Sequence, residues 1–303
     1  MKYFLISLIA GLLIYSCEET EVLNETGKMQ VTDIHLPQLP DGYHYEAWLL
    51  VDGSYVSVGN ITNDSISNNI ARFSEIEVND LETAQSFAIT IETNGSAAPS
   101  NYVLLTGNFD GNTANLSPDN EVVNGVQSIA RRISAAYTVQ NATVPEEEQS
   151  NYGTNGIWFF KGSGENTEPV LELDYDEMAY QAWLVKSQNN VDQYLNMGRI
   201  ISDTLADNYK SFTLFTNNTP DFPGEDFLTD PDGGVDYPEG FFPLDVRGAK
   251  LILTPIPTNY DNATNPFPVF LLEATIPNDV VRDTELTRNL EVNTDFGAIA
   301  TKL

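Results

Sequence analysis

One apolar strand motif occurs twice in this chain of 303 residues, and the repeat restricts what the chain can fold into. The copies span Tyr43–Val51 and Met178–Val185, and Tyr, Ala, Trp and Leu recur in them at identical spacing. The motif residues, with a glycine of the next strand, are Tyr45, Ala47, Trp48, Leu49 and Gly59 in the first copy and Tyr180, Ala182, Trp183, Leu184 and Gly198 in the second. The later apolar segments Phe87–Glu92 and Leu251–Pro255 also recur in order, which predicts a duplicated structural unit.

The motif has the two-residue period of a β-strand whose two faces are both apolar. Tyr45 and Leu49 lie on one face, and Trp48 and Leu50 lie on the other. Such a strand is covered on both sides, and the Asp-Gly pair at 52–53 favours a hairpin after it. We interpret the tryptophan of each copy as a core residue in preference to a ligand-stacking one.

Sixteen prolines and the lack of a 3.6-residue apolar stripe leave little room for long helices, and the best helical candidate is a short one near Asn120–Arg132. We therefore predict an all-β protein of two tandem antiparallel β-sandwich domains of immunoglobulin-like type. The first unit is assigned to residues 29–117. The second unit, 118–283, carries an acidic Pro/Gly insertion at 217–240, and residues 284–303 follow as a carboxy-terminal extension.

The amino terminus has the features of a secretory signal. One lysine precedes an apolar stretch that ends at Cys17 and is shorter than the roughly 20 apolar residues that span a bilayer. The segment Ile14–Cys17 resembles the lipobox of bacterial lipoproteins, in which the thiol is acylated and the cysteine becomes the first mature residue. We predict a signal peptide at 1–16, lipidation of Cys17 (palmitate) and an acidic tether at 17–28. The alternative is an ordinary buried cysteine in an uncleaved apolar segment.

Lipidation implies an extracytoplasmic protein held on the cell envelope, because acyl chains contribute about 0.8 kcal/mol per buried methylene. The cluster Glu18–Glu21 resembles the surface-export signal of some Gram-negative lipoproteins, with a plain solvated tether as the alternative. We expect the outer membrane, with surface exposure left open. Cys17 is the only cysteine, so the rest of the chain has no disulfide, zinc–cysteine site or cysteine nucleophile.

The formal net charge of −30 bears on which partners the protein can have. A surface of this charge repels duplex DNA and anionic headgroups, which argues against nucleic-acid binding and against docking on a membrane surface. The acids are dispersed along the chain and aromatic residues make up 11% of it, as in a folded protein. Membrane contact is therefore expected through the lipid anchor.

The string Leu36–Leu49, with its Leu-Pro-rich start and Tyr-x-x-Trp-Leu motif, is followed by Gly59 and resembles a known family. It is similar to the extracytoplasmic carboxy-terminal domain of anti-sigma-K factors. The second unit keeps Tyr180–Leu184 and Gly198 but lacks the Leu-Pro pair. The resemblance implies a β-sandwich more than an activity. Because the chain has a cleavable signal in place of a cytoplasmic segment and a membrane helix, we expect no direct inhibition of a sigma factor.

The insertion of the second unit is a candidate metal site. Asp230, Asp232 and Asp236 lie among glycines and offer the oxygen ligands and the tight turn that calcium prefers. The run lacks the distal Glu of a calcium-binding helix–loop–helix, and a solvated acidic loop is the competing interpretation. Calcium is the only cofactor that we hypothesise for this protein.

Two tripeptides, Asp64–Ile66 and Asp203–Leu205, resemble Asp-Ser/Thr-aliphatic acceptor sites for O-glycans in a group of Gram-negative bacteria. They follow the glycine-containing strand at matching places in the two units. Ser65 and Thr204 are thus candidate glycan acceptors, with ordinary turn residues as the alternative.

No catalytic motif stands out. The two histidines, His35 and His44, lie in no HExxH pattern and beside no nucleophile, and the chain has no Gly-x-Ser-x-Gly elbow. Forty-four acidic residues make chance carboxylate pairs plentiful, so composition nominates no glycosidase pair. We expect no enzyme.

The sequence is most consistent with a lipid-anchored protein for binding, sensing or envelope architecture, with an envelope protein or a glycan as partner. One alternative is a surface module for a polysaccharide or peptide that uses exposed aromatic residues of the insertion, namely Phe222, Phe227 and Tyr237. A second is a structural subunit whose edge strands pair with a partner. The third is a hydrolase that uses loop carboxylates.

Overall fold

The computed structural model describes residues 25–93, 99–122, 126–176, 178–231, 235–257, 260 and 264–303. These ranges consist mainly of antiparallel strands, which confirms the all-β prediction. The strands of the first unit are β1 (Thr26–His35), β2 (Tyr43–Val51), β3 (Ser54–Ile61), β4 (Ile70–Glu77), β5 (Ser86–Thr93), β6 (Val103–Asp110) and β7 (Thr113–Leu116). They are followed by β8 (Ser134–Val139), β9 (Gly156–Trp158), β10 (Phe160–Lys161), β11 (Glu168–Pro169), β12 (Leu171–Glu172), β13 (Met178–Gln188), β14 (Val191–Ile200), β15 (Gly224–Asp226), β16 (Lys250–Pro257), β17 (Leu272–Thr275), β18 (Asp283–Asn289), β19 (Glu291–Val292) and β20 (Gly297–Lys302).

Helical structure is short in the described residues. The helices α1 (Asn63–Ser67) and α2 (Val78–Thr83) each link two strands of the first unit. The helix expected near Asn120–Arg132 is present there only as a 3-10 turn at Ile129–Arg131. The expectation is wrong in extent, because the apolar residues of this segment anchor a loop against the core and do not form a helical face.

The carboxy-terminal strand lies in the middle of the first unit's sheet. The strand order is β3-β2-β5-β6-β7-β20-β1-β4, so β20 pairs with β7 on one side and β1 on the other. Residues 297–302 therefore complete this sheet, and residues 26–28 of the predicted tether already belong to β1. The last residue is bonded to β1, since the Leu303 N–H donates to the carbonyl oxygen of Lys28 at 3.0 Å.

The described residues of the second unit form two larger sheets and one strand pair. One sheet has the order β14-β13-β16-β17-β19, and the other has the order β12-β8-β9-β15 with β18 also paired to β8. The strands β10 and β11 pair with each other.

The main apolar core contains residues of both units. The ring of Phe267 lies 5.6 Å from that of Tyr43 and 6.3 Å from that of Tyr102, measured between centroids. The buried Tyr102 hydroxyl donates to the carbonyl oxygen of Pro255 at 2.7 Å. The two units are thus packed together, and aromatic side chains form part of the junction.

A β-bulge lies opposite the centre of the first strand motif. Strand β3 has one extra residue, Val58, opposite the step from Ala47 to Trp48 of β2, and Ala47 faces Gly59. Gly59 has a φ of +133°, which side chains disfavour, so the bulge requires a glycine there. On its other side Ala47 faces Ile89 of β5.

The second strand motif shows the same geometry. Strand β14 has one extra residue, Met197, opposite the step from Ala182 to Trp183 of β13. Ala182 faces Gly198, which has a φ of +103°. On its other side Ala182 faces Leu253 of β16. The neighbours and the register around the two motifs therefore agree residue by residue.

Candidate functional site

The predicted lipid and calcium sites fall partly outside the described residues. Cys17 and Asp232 both lie outside them, whereas Asp230 and Asp236 are described and exposed. Within the described ranges no group of three or more His, Cys, Asp or Glu side chains is arranged to hold a metal ion. Calcium binding and lipidation remain predictions.

The two candidate glycan acceptors lie in different local structures. Ser65 is in the first turn of α1, and its backbone N–H donates to the side-chain oxygen of the N-cap residue Thr62 at 3.2 Å. Thr204 follows β14 and is exposed. Their modification also remains a prediction.

The motif tyrosines anchor the segments that precede each motif strand. The Tyr45 hydroxyl donates to the carbonyl oxygen of Pro37 at 3.0 Å, within the Leu-Pro-rich segment. The Tyr180 hydroxyl donates in the same way to the carbonyl oxygen of Asp174 at 2.7 Å. Burial is the main cause that raises the pKa of both phenols, so both remain hydrogen-bond donors at physiological pH.

Both motif tryptophans are buried, in agreement with their interpretation as core residues. Trp48 Nε1 donates to Thr90 Oγ1 at 2.8 Å. In the second unit Trp183 packs with Val185 and Ile252. Neither indole is accessible for stacking on a ligand.

The aromatic residues expected to be exposed in the insertion are not equivalent. Phe227 is fully buried, with its ring 5.4 Å from that of Phe212, so its expected exposure is wrong. Tyr237 is half-buried, stacks on Phe241 and donates its hydroxyl to the carbonyl oxygen of Tyr194 at 3.3 Å. Phe222 lines a cavity of the second unit.

A polar groove of the second unit is the best candidate site. It consists of two adjoining cavities, of about 740 Å³ and about 370 Å³, that share Gln140 and Ala142 in their walls. Other residues lining the larger cavity include Asn141, Gln149, Arg282 and Asp283, and those lining the smaller include Phe160, Thr167, Asp221 and Phe222. Volumes of this size are typical of small-molecule sites. We call the two cavities together the groove.

Hydrogen bonds donated by two side chains hold the wall of the larger cavity. Gln149 Nε2 donates to the carbonyl oxygens of Asn141, at 2.9 Å, and Val144, at 2.7 Å. Arg282 Nη1 donates to Gln149 Oε1 at 2.5 Å and to its carbonyl oxygen at 3.1 Å. The segments 140–149 and 281–284 are therefore linked across the groove.

The smaller cavity has an aromatic wall. Phe222 is half-buried, and its ring lies 5.0 Å from that of the buried Phe160. Phe160 in turn contacts Trp158 edge-on at 5.6 Å. The rings of Trp158 and Phe160 therefore hold the ring of Phe222 in position.

Asp226 supports the rim of the groove from inside the protein. Its Oδ1 accepts from Trp158 Nε1 at 2.7 Å, and its Oδ2 accepts from the backbone N–H of Thr143 at 2.8 Å and from Thr143 Oγ1 at 2.6 Å. Burial raises the pKa of Asp226, while these donors oppose the rise. A Cβ at Gly156 would lie 2.0 Å from Asp226 Oδ1, so the close approach requires glycine.

The opposite side of β15 carries a second buried acidic group. Glu225 is fully buried and accepts a hydrogen bond from Thr213 Oγ1, and burial raises its pKa to about 8. Beside it, Lys210 Nζ donates to Asp207 Oδ2 at 2.8 Å and to the carbonyl oxygen of Gly224 at 2.6 Å. Burial also raises the pKa of Asp207, against the opposing effect of Lys210.

Sequence reasoning missed this buried acidic strand. The insertion was weighed as a solvated acidic loop, yet residues 223–228 are all buried, so that interpretation is wrong for this part of it. The one available signal was the position of the two acids between apolar neighbours, in Gly224–Leu228. Periodicity does not identify buried carboxylates, because their partners Thr143 and Trp158 are distant in the sequence.

None of the helices in the described ranges has the length and apolar character needed to cross a membrane. No curated protein and no solved structure matches the chain. The family model described as anti-sigma-K factor rskA, C-terminal, matches residues 20–108, which include β1 to β5 and most of β6. The groove lies outside the matched residues. The first unit is therefore similar to the carboxy-terminal domain of anti-sigma-K factors, a domain of extracytoplasmic type.

Proposed function

We propose that the protein is a lipid-anchored, extracytoplasmic binding protein, built from two copies of one β-sandwich unit, whose second unit holds a ligand in the groove. The observation that carries the binding role is the support of the groove by the fully buried Asp226. A charged group is costly to bury, and here its cost is offset by bonds that position the rim.

The extracytoplasmic location is supported by the signal-like terminus and by the family match of the first unit. The two-copy interpretation is supported by the shared bulge and register around Ala47 and Ala182. The burial of Glu225 and Asp226 gives both carboxyls a structural role, away from a ligand in the groove. An extracytoplasmic protein of this kind would not inhibit a sigma factor directly.

The lipid anchor predicts a clear result for Cys17. Because acyl chains are expected to provide the membrane attachment, Cys17→Ser should move the protein from the membrane fraction to the soluble fraction. Labelling of cells with a palmitate analogue, with and without globomycin, measures the modification directly. An unlabelled wild-type chain would contradict the anchor.

The binding role predicts that Asp226→Asn weakens ligand binding, although Asp226 is buried and does not contact the ligand. Asparagine keeps the size of the side chain, but its Nδ2 cannot accept the two bonds from Thr143, so we expect a loss of about 2–3 kcal/mol and a loosened rim. Faster amide exchange at residues 141–144 and loss of the partner captured from native envelope by the full chain should follow. The control is Asp279→Asn at an exposed acid. Equal capture by both variants argues against the groove as the binding site.

A further inference from the structure

We propose that the groove binds a neutral oligosaccharide, with one pyranose ring on the face of Phe222 in the smaller cavity and the hydroxyls of a neighbouring sugar on Arg282 and Asp283 in the larger one. This inference rests on the proposed binding function and gives the chemical class of its ligand. It is carried by the aromatic wall, the linked polar wall and the charge balance of the groove.

The aromatic wall provides a rigid flat surface. Phe222 is half-buried, with Phe160 packed 5.0 Å from it and the fully buried Trp158 behind Phe160. The face of an aromatic ring carries partial negative charge, which attracts the polarised C–H groups on one face of a pyranose. An aromatic side chain that is already held in place loses little conformational entropy on binding.

The polar wall offers donors and acceptors in fixed positions. Arg282 has five N–H donors, and Nη1 is the atom that bonds to Gln149. Asp283 Oδ1 accepts from the backbone N–H groups of Glu285, at 2.8 Å, and Leu286, at 3.0 Å. These bonds lower the pKa of Asp283, so its carboxylate is an acceptor at neutral pH. Adjacent sugar hydroxyls both donate and accept, which suits a neighbouring guanidinium and carboxylate.

Charge and strand pairing favour this ligand class over others. The cavity walls contain one cation, Arg282, and two acids, Asp221 and Asp283, on a protein of net charge −30 that repels polyanions. A peptide that binds by strand addition needs open strand edges. Here the carbonyl oxygen of Thr284 is already paired with the N–H of Gly162 at 2.7 Å, and that of Phe160 accepts from Thr138 Oγ1 at 2.8 Å.

The test uses the full chain, purified in detergent, on an array of neutral and acidic oligosaccharides and on an array of peptides. We expect binding to neutral oligosaccharides. Phe222→Ala should weaken it about 30-fold, the effect of losing an aromatic hot spot, and Phe222→Trp should retain it. Arg282→Ala should weaken the same interaction, with the thermal midpoint measured alongside. The matched control is Phe270→Ala, which removes another half-buried ring, next to Trp183 and away from the groove.

Binding to peptides alone, or to acidic glycans alone, overturns the oligosaccharide assignment but leaves the proposed binding function standing. Binding to neutral glycans that Phe222→Ala leaves unchanged overturns the placement of the sugar. The absence of any neutral glycan among the bound probes, at millimolar concentration, overturns the inference. Capture of an envelope partner that depends on Asp226 tests the proposed function independently of these outcomes.

Discussion

Deletion of residues 297–303 is expected to unfold the first unit, although these residues are far from it in the sequence. Strand β20 pairs on both sides, with Ala300 facing Val31 of β1 and Ala114 of β7. Its loss breaks two ladders at once and exposes Met29 and Val31, which are fully buried. The net stability of a domain is only about 5–15 kcal/mol, and the loss of a central strand is of that size.

Hydrogen exchange tests this prediction separately for each strand. In the shortened chain the amides of β1 and β7 should lose protection first, and urea unfolding should show no cooperative transition for the first unit. A chain extended beyond Leu303 by a short Gly/Ser tail is the control, because Leu303 is exposed and its side chain contributes little to the core. A shortened chain with native protection in β1 would show that the ladder is dispensable.

Glu225→Gln is expected to stabilise the protein increasingly as the pH rises. In the folded state burial raises the pKa of Glu225 to about 8, whereas the unfolded chain has the ordinary value of 4.5. Between these values the unfolded state releases the proton and the folded state keeps it, so stability falls as the pH rises. The fall attributable to this group is about 4 kcal/mol from pH 5 to pH 9, at about 1.4 kcal/mol per pKa unit. The glutamine side chain of the variant has no proton to release.

The measurement is the free energy of unfolding in urea at several pH values, for wild type and variant. Asp207, Asp226 and Lys210 lie near Glu225 and also affect the pH dependence, but they are present in both proteins, and the difference isolates Glu225. Glu239→Gln removes an exposed carboxylate and should give a curve parallel to that of wild type. If the Glu225→Gln curve is also parallel, Glu225 is ionised in the folded state.

The strand motif was the most informative part of the sequence for the fold. Local alternation identified β2 and β13 as strands covered on both faces, and Gly59 and Gly198 lie opposite them at positive φ. The alternation depends on neighbouring residues, which the sequence carries directly, whereas the bulge and the positive φ of the two glycines were found only in the structure. Helices α1 and α2 were not predicted, because they are too short to show a helical period.

The groove could not be predicted to the same extent. Phe222 was among the candidate aromatics, but the same reasoning nominated Phe227, which is fully buried. Asp226 reaches Thr143 across more than eighty positions of sequence, and Arg282 reaches Gln149 across more than one hundred. Contacts of such separation are made by packing, and a single sequence contains no local pattern for them.

The sequence alone determined that this chain forms β-strands covered on both faces, because side-chain alternation is a local property. Tertiary structure alone decided that β20 completes the first sheet. It also decided that Glu225 and Asp226 are buried on opposite sides of β15. Strand order depends on which edges meet in the folded chain. The cost of burying a carboxylate depends on partners that only the complete fold brings within hydrogen-bonding distance.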